Sequence, residues 1–378
     1  MKIIIAPQSF KGSLSAPEAA RAMALGVGRV LPDAEMVLVP MADGGEGTVE
    51  ALVDATGGRM IKAEVTGPLG ERVKAGWGIL GDGVTAVIEM AAASGITLIP
   101  PQRLNPLVAT TFGTGELIRE ALDNGCRKLL IGIGGSGTND GGAGMVQALG
   151  VSLLNDRGKE LLRGGAALAK LAKIDMSGLD SRLAECQIEA AYDVNNPLCG
   201  ESGASMVYGP QKGATAEMAR QLDSALAHYA KLIESTLGVD VMNLPGAGAA
   251  GGMGAGLAAF LGARLLPGMD IVSEAVGLEE RLRGASLVLT GEGRIDGQTL
   301  FGKVVAGVAA RAKALNVPVV AIVGEIAGGG EVFGQGIDAV LSIVPGPISL
   351  ERALSDGAEL VSDATERALR LIMIRLDG

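Results

Sequence analysis

The sequence predicts an α/β protein of two domains, a parallel-sheet domain built from both chain ends and a mixed α/β domain inserted between them. Three observations carry this. At 378 residues the chain is about twice the length of a typical domain. Its 59 glycines accompany only 2% aromatics, a mixture that lets helices sit close on a sheet of Ala, Val, Leu and Ile. A β-loop-α rhythm runs through both ends of the chain and is interrupted in the middle.

The first unit opens with an apolar strand over Lys2–Ile5. A helix follows, opened by Ser15-Ala16-Pro17-Glu18, where Ser15 suits the cap, Pro17 the first turn and Glu18 a capping box. A second strand over Met36–Val39 leads through Asp43–Thr48 into a helix that runs to Thr56, with Gly57 as its C-terminal stop. The pattern then changes. Met60–Val65, Val73–Ile79 and Val84–Met90 read as short strands joined by turns at Pro68-Leu69-Gly70 and Gly81-Asp82-Gly83. Next come a helix over Thr114–Asn124, a strand over Lys128–Ile131, a helix over Met145–Leu149 and a strand over Val151–Leu154. A strand over Ile188–Tyr192 and a long helix over Thr215–Leu237 follow. From Ala285 the first rhythm returns: a strand over Leu287–Thr290, a loop over Gly291–Gly302, a helix over Lys303–Leu315, strands over Val317–Val323 and Ala339–Ile343, and a helix to Met373. Joining the two ends completes a right-handed parallel sheet. The expected domains are therefore residues 1–58 with 284–378, and residues 59–283.

Composition excludes several classes of function. A net charge of −10 argues against nucleic acid, whose phosphates are held by clustered Lys and Arg. The three cysteines, Cys126, Cys186 and Cys199, form no C-x-x-C pair and are odd in number, which speaks against a disulfide framework or zinc knuckle and fits a reducing cytoplasm. The N-terminal apolar run is too short for a signal peptide. Val241–Ala263 is uncharged but contains Pro245 and seven glycines, which suits a buried loop and helix better than a membrane span. The one histidine, His228, lies in an amphipathic helix, so a general base here is a carboxylate or a lysine.

Five polar loops begin where expected strands end: Gln8–Gly12, Asp43–Gly47, Gly132–Gly144, Asp193–Pro197 and Gly291–Asp296. Ligands of open α/β sheets bind outside the carboxyl ends of strands, so the coincidence outweighs any single loop. Gly132–Gly144 holds seven glycines and no positive charge. Such density is costly in ordinary packing and suits backbone N–H groups crowding around a phosphate. Gly132–Gly137 matches G-x-G-x-x-G, with Asp156 at the ribose-binding distance, but at this glycine content about one match arises from composition alone. Gly246–Gly251 matches as well, and no P-loop is present. Lys11, Lys212, Arg294 and Lys303 lie beside glycines or in these loops and suit an anionic substrate. Asp43, Glu46, Asp140, Asp193, Glu292 and Asp296 are the carboxylates that phosphoryl transfer asks for, as magnesium ligands or as acceptor of a hydroxyl proton; each also has a plain alternative as a helix cap.

Taken in order, these segments closely resemble the bacterial glycerate kinase family that includes the D-glycerate 2-kinases. The matching residues are Ile5-Ala6-Pro7 with Ser9-Phe10-Lys11, Ala42–Thr48, Phe112–Ile118, Gly134-Gly135-Ser136 with Asp140-Gly141-Gly142, Asp193 with Asn196-Pro197-Leu198, Tyr208–Ala214, and Thr290–Asp296. The resemblance spans nearly the whole chain. It implies ATP-dependent, Mg2+-assisted phosphorylation of D-glycerate, to the 2-phosphate in preference to the 3-phosphate, in a cleft between two domains. One of these is flavodoxin-like, or Rossmann-like, and built from both chain ends. Where the family usually has Asp before Ser-Phe-Lys this chain has Gln8, and Gly297 stands where Ser is frequent.

On that resemblance Lys11 and Arg294 hold the glycerate carboxylate or the transferring phosphate, and Asp193 and Asp296 activate the hydroxyl or bind the metal. Ser9, Asp43, Gly44, Gly45, Glu46, Gly134, Gly135, Ser136, Asn139, Asp140, Lys212 and Glu292 line the substrate and phosphate sites. The expected partners are small molecules, D-glycerate and ATP, with no nucleic acid and no membrane; a homodimer stays open. Two other functions also stay open, a nicotinamide-dependent dehydrogenase using Gly132–Gly137 and a non-catalytic sensor of a small anion, which Gln8 favours.

Overall fold

The computed structural model describes residues 1–295, 304–327 and 336–374. The chain divides into two compact units, one of residues 1–43, 50–57 and 272–378, the other of residues 44–49 and 58–271. In chain order the strands are β1 (Lys2–Pro7), β2 (Glu35–Leu38), β3 (Arg59–Thr66), β4 (Arg72–Ile79), β5 (Thr85–Glu89), β6 (Lys128–Gly132), β7 (Ser152–Leu154), β8 (Lys173–Asp175), β9 (Gln187–Tyr192), β10 (Arg264–Pro267), β11 (Leu287–Ile295), β12 (Val319–Ile326) and β13 (Ala339–Ser342).

The first unit is a five-stranded sheet in the order β13-β12-β11-β1-β2, with every pairing parallel. Renumbered within the unit this is 2-1-3-4-5 read from the β2 edge, the flavodoxin order, and its topology reverses between β1 and β11. Strand β1 is apolar on both faces, with Ile3, Ile4 and Ile5 fully buried, as a central parallel strand must be. On one face Ile3, Ile5, Leu287, Leu289, Val320 and Ile322 pack against the helices Ala16–Val30 and Gly357–Ile372. The first of these helices begins as expected: Glu18 Oε2 accepts from the Ser15 main-chain N–H at 2.8 Å and from its hydroxyl at 2.9 Å. The unit also takes in the helix Leu278–Leu282, on the far side of the boundary at residue 284 that the sequence suggests. Arg281 Nη2 donates to the Ala55 carbonyl at 3.1 Å, and Leu278 and Leu282 are fully buried.

One expected loop is a strand. Gly291–Ile295 continues β11 rather than turning away, because β12 runs on beside it and pairs Arg294 with Glu325 and Ile295 with Ile326.

The second unit holds a six-stranded mixed sheet, β10-β9-β6-β5-β4-β3. Its first four strands are parallel, and β3-β4-β5 form the antiparallel meander. A small antiparallel pair, β7 with β8, lies apart from it. The core is aliphatic around a fully buried Trp77 and Tyr229, the latter stacked on Phe260 at 6.0 Å. The uncharged segment after Val241 becomes a buried loop and the helix Ala249–Leu261. Among the described residues no helix is long and apolar enough to cross a membrane.

Candidate active site

In the first unit the ligand position of an open sheet lies beyond the carboxyl ends of β1 and β11. The chain turns there through Gln8–Gly12, with the Gln8 N–H donating to the Gly291 carbonyl at 2.8 Å. Gly293 lets this turn lie close on β11: a Cβ there would stand 3.3 Å from the Lys11 nitrogen. The Gln8 amide Nε2 donates to Asp43 Oδ2 at 3.0 Å. Glu292 is buried on β11 in the same neighbourhood, Ser9 is half-buried and Lys11 is exposed. Arg294 faces solvent with its guanidinium 3.5 Å from Glu325 Oε2. Such an exposed pair is weak enough to be exchanged for an incoming anion.

The second unit gathers its own set at the ends of β5, β6 and β9. Gly44, at φ +90°, lies so close to β9 that a Cβ would stand 2.6 Å from the Ala191 Cβ. The Gly134 N–H approaches the Gly44 carbonyl at 3.4 Å, and a Cβ on Gly134 would stand 2.9 Å from the Gly45 Cα. Two glycine loops are thus laid backbone to backbone. A third, Gly246–Gly252, joins them: Gly141 N–H donates to the Gly251 carbonyl at 3.0 Å, and Ala250, Gly251 and Gly252 are successively left-handed. Ala250 holds that conformation with a side chain, which costs of order 1 kcal/mol and marks a constrained backbone.

The glycine loop after β6 is fixed by two buried ionisable groups. Asp140 accepts from the Thr111 N–H at 2.8 Å, the Thr111 hydroxyl at 3.0 Å, and the N–H groups of Gly142 and Gly144, each at 3.2 Å. Burial raises its pKa against these donors. Lys212 is 1% exposed, and its Nζ donates to Ser136 Oγ and to the Thr138 carbonyl, each at 2.7 Å. Burial depresses it to about 7, with the Asp140 charge opposing. Asn139 donates through Nδ2 to Ser205 Oγ at 2.8 Å. Between these anchors Asn139 Oδ1 and Thr138 Oγ1 are buried with no hydrogen-bond partner among the described residues. Orphaned acceptors are rare in folded proteins and call for an ordered water or ligand.

The structure sorts the residues singled out in the sequence. Gln8, Lys11, Asp43, Glu292 and Arg294 come together in the first unit, and Gly44, Gly45, Gly134–Asp140 and Lys212 in the second. Asp193 follows β9 on an exposed position; burial raises the pKa of the Tyr208 hydroxyl and the Asp193 charge adds to it. Glu46 is exposed on the Gly44–Gly47 loop. Asp140 ties the loop to Thr111 and to its own Gly142 and Gly144, and Lys212 ties it to the 210–212 turn through Ser136 and Thr138. Asp296, Gly297 and Lys303 lie outside the described residues.

His228 pairs Nε2 with the Leu171 carbonyl at 2.7 Å, on the side of its helix. The dinucleotide motif at Gly132–Gly137 has no helix within it; the next begins only at Ala143.

One carboxylate was missed. Glu89, at the end of β5, accepts from the Val49 N–H at 2.8 Å, beside the Gly44–Gly47 loop. Burial lifts its pKa to about 7, the Val49 bond opposes this, and Glu46 adds to it. Its signal was its position, a lone acid closing an apolar strand. Thr111 and Ser205 carry no sequence signal of their own.

The family model described as the glycerate kinase family matches residues 3–373. A glycerate kinase of Bacillus subtilis is 57% identical over 360 residues, covering 95% of this chain and 94% of that protein. A glycerate 2-kinase of Escherichia coli K12 is 53% identical over 375 residues, covering 99% and 98%. A solved structure of a glycerate kinase 2 from Salmonella typhimurium LT2 superposes with a TM-score of 0.91 at 54% identity, covering 98% of each chain.

Proposed function

From membership of the glycerate kinase family, to which this chain belongs, we propose that the enzyme transfers the γ-phosphoryl group of ATP to the 2-hydroxyl of D-glycerate. The near full-length likeness to a glycerate 2-kinase supports the choice of hydroxyl. The observation that carries the chemistry is the glycine loop Gly134–Asp140, braced by Lys212 and Asp140. A loop held this firmly can present main-chain donors to charge as it develops on a phosphoryl group, without reorganising at the moment of transfer.

Asp193 is assigned as the acceptor of the glycerate hydroxyl proton. It is exposed just beyond a strand end, within reach of a substrate arriving from solvent. Lys11 and Arg294 are assigned to the carboxylate of glycerate or the transferring phosphate; Arg294 would leave Glu325 for a bidentate grip. Magnesium is the cation proposed to accompany the ATP phosphates. The described residues contain no cluster of three or more potential ligands, and Mg2+ usually takes one or two carboxylates, several waters and the substrate's phosphate oxygens. With Asp193 assigned as the base, Asp296 is the sequence candidate for such an oxygen. When bound, the ion neutralises charge on the phosphates.

The test is 31P NMR of a mixture of enzyme, ATP, Mg2+ and D-glycerate. A resonance coupled to the C2 proton of the product is expected. A product phosphorylated on the 3-hydroxyl would overturn the regiochemistry, and no glycerate-dependent ADP would overturn the kinase reading.

A further inference from the structure

We infer that Lys212 is a positioning residue for the transfer reaction, acting through Ser136 and Thr138 of the glycine loop rather than by touching substrate. This rests on the kinase reading above. The lysine stands on a short turn, Pro210–Lys212, that ends at Gly213 with φ +90°. The same segment begins with Ser205, which receives the Asn139 amide at 2.8 Å. Residues 205–212 therefore grip the loop at three of four successive residues: Ser136 by its hydroxyl, Thr138 by its carbonyl and Asn139 by its side chain.

The Thr138 contact has a directional consequence. Carbonyl and N–H point to opposite sides of a trans peptide, so a carbonyl drawn onto the Lys212 amine turns the Asn139 N–H away from it. A single side chain thus sets which way a main-chain donor of the loop points. At 1% exposure the amine has no open side toward solvent for a ligand.

The arrangement is expensive. Among the described residues no carboxylate stands at ion-pair distance from Lys212; burying such an ammonium is penalised, and a Met or Leu would fill the same volume at lower cost. Burial already brings the pKa of the amine down to about 7. A residue kept at that cost does something an apolar one does not, and orienting the loop is what its two bonds accomplish.

The test uses the full chain with K212M, S136A and the double variant. It reads kcat, the KM for each substrate, and amide hydrogen exchange over residues 134–140. For K212M the expected result is a kcat at least about 30-fold lower with both KM values within about threefold, the pattern of a lost transition-state alignment. S136A should lower kcat several-fold, and the double variant should be no worse than K212M, because both cut one clamp.

A kcat within about threefold of the parent in folded K212M would overturn the inference, as would a large rise in one KM with kcat kept, the mark of direct substrate binding. Should K212M not fold, S136A decides, and a parental kcat there is the contrary result. Should the parent phosphorylate no glycerate, the functional reading fails on its own. The clamp is then judged by exchange alone: amides 134–140 are expected to exchange faster in K212M, and unchanged protection would overturn it.

Discussion

The side-chain amide of Gln8 donates to Asp43 Oδ2 across 3.0 Å, so a neutral donor sits where a second carboxylate would face the first. Replacing it by the residue usual in the family, Q8D, removes a hydrogen bond worth about 1 kcal/mol and adds like-charge repulsion. The melting temperature of Q8D in EDTA should fall by about 2–4 °C, and Mg2+ should recover more of it than in the parent. Equal metal-induced shifts in the two proteins would show that this pair does not approach the metal.

Removal of the assigned base is the direct test of the chemistry. D193N should lower kcat by at least about a hundredfold while leaving the fold intact, since Asp193 is exposed. Steady-state rates beside circular dichroism decide it, and a near-parental kcat would reassign the base.

Glu89 makes stability depend on pH. Its pKa is raised from 4.5 to about 7 in the folded state, so between those values the folded chain binds the extra proton. The resulting stabilisation is complete below about pH 4.5 and is lost as pH rises through about 7, by up to about 3 kcal/mol. E89Q keeps an oxygen for the Val49 N–H and cannot titrate. Urea midpoints of E89Q should gain on the parent from pH 5 to pH 7 and then hold level; parallel curves would refute the assignment.

Lys212 acts in the opposite direction. Its pKa falls from 10.5 to about 7 on folding, so the unfolded chain binds more protons between those values. Parental stability should therefore gain a rising component from pH 7 to about 10 that K212M lacks. Guanidinium unfolding at pH 7, 8 and 9 reads the difference.

Gly251 is left-handed at φ +71°, and a Cβ on it would run into the Thr138 carbonyl. G251A should cost at least about 2 kcal/mol, because neither backbone can yield without moving the loop that Lys212 holds. Thermal melts measure the loss, and a shift under about 1 °C would mean that the contact relaxes freely.

Much of the fold was legible because it rests on patterns of period two and 3.6 with clear punctuation. Ser15 with Glu18, the meander turns and the isoleucines of β1 each announce their role in a short window. The extension of β11 through Gly291–Ile295 was not legible. Two glycines and two charges read as a loop, and only the neighbouring β12 supplies the hydrogen bonds that make the segment a strand. The site was legible as a set of strand-end loops and less so as a set of duties. Asp140 and Lys212 announced themselves as charges for a ligand, yet their partners are Thr111, Ser136 and Thr138, residues whose nearness follows from the tertiary fold. Glu89 was hidden for the same reason.

The six residues Gly44–Val49 belong to the second unit although the chain reaches them straight from the first. They supply the backbone that lies on Ala191 and Gly134 and the N–H that Glu89 holds. Residues 58–271 are therefore not a transplantable cassette. Expressed alone, or exchanged as a block between relatives, they would leave behind one wall of their own glycine nest. A clean chimera has to carry a hexapeptide from the far side of the splice, or permute the chain so that it travels with the rest.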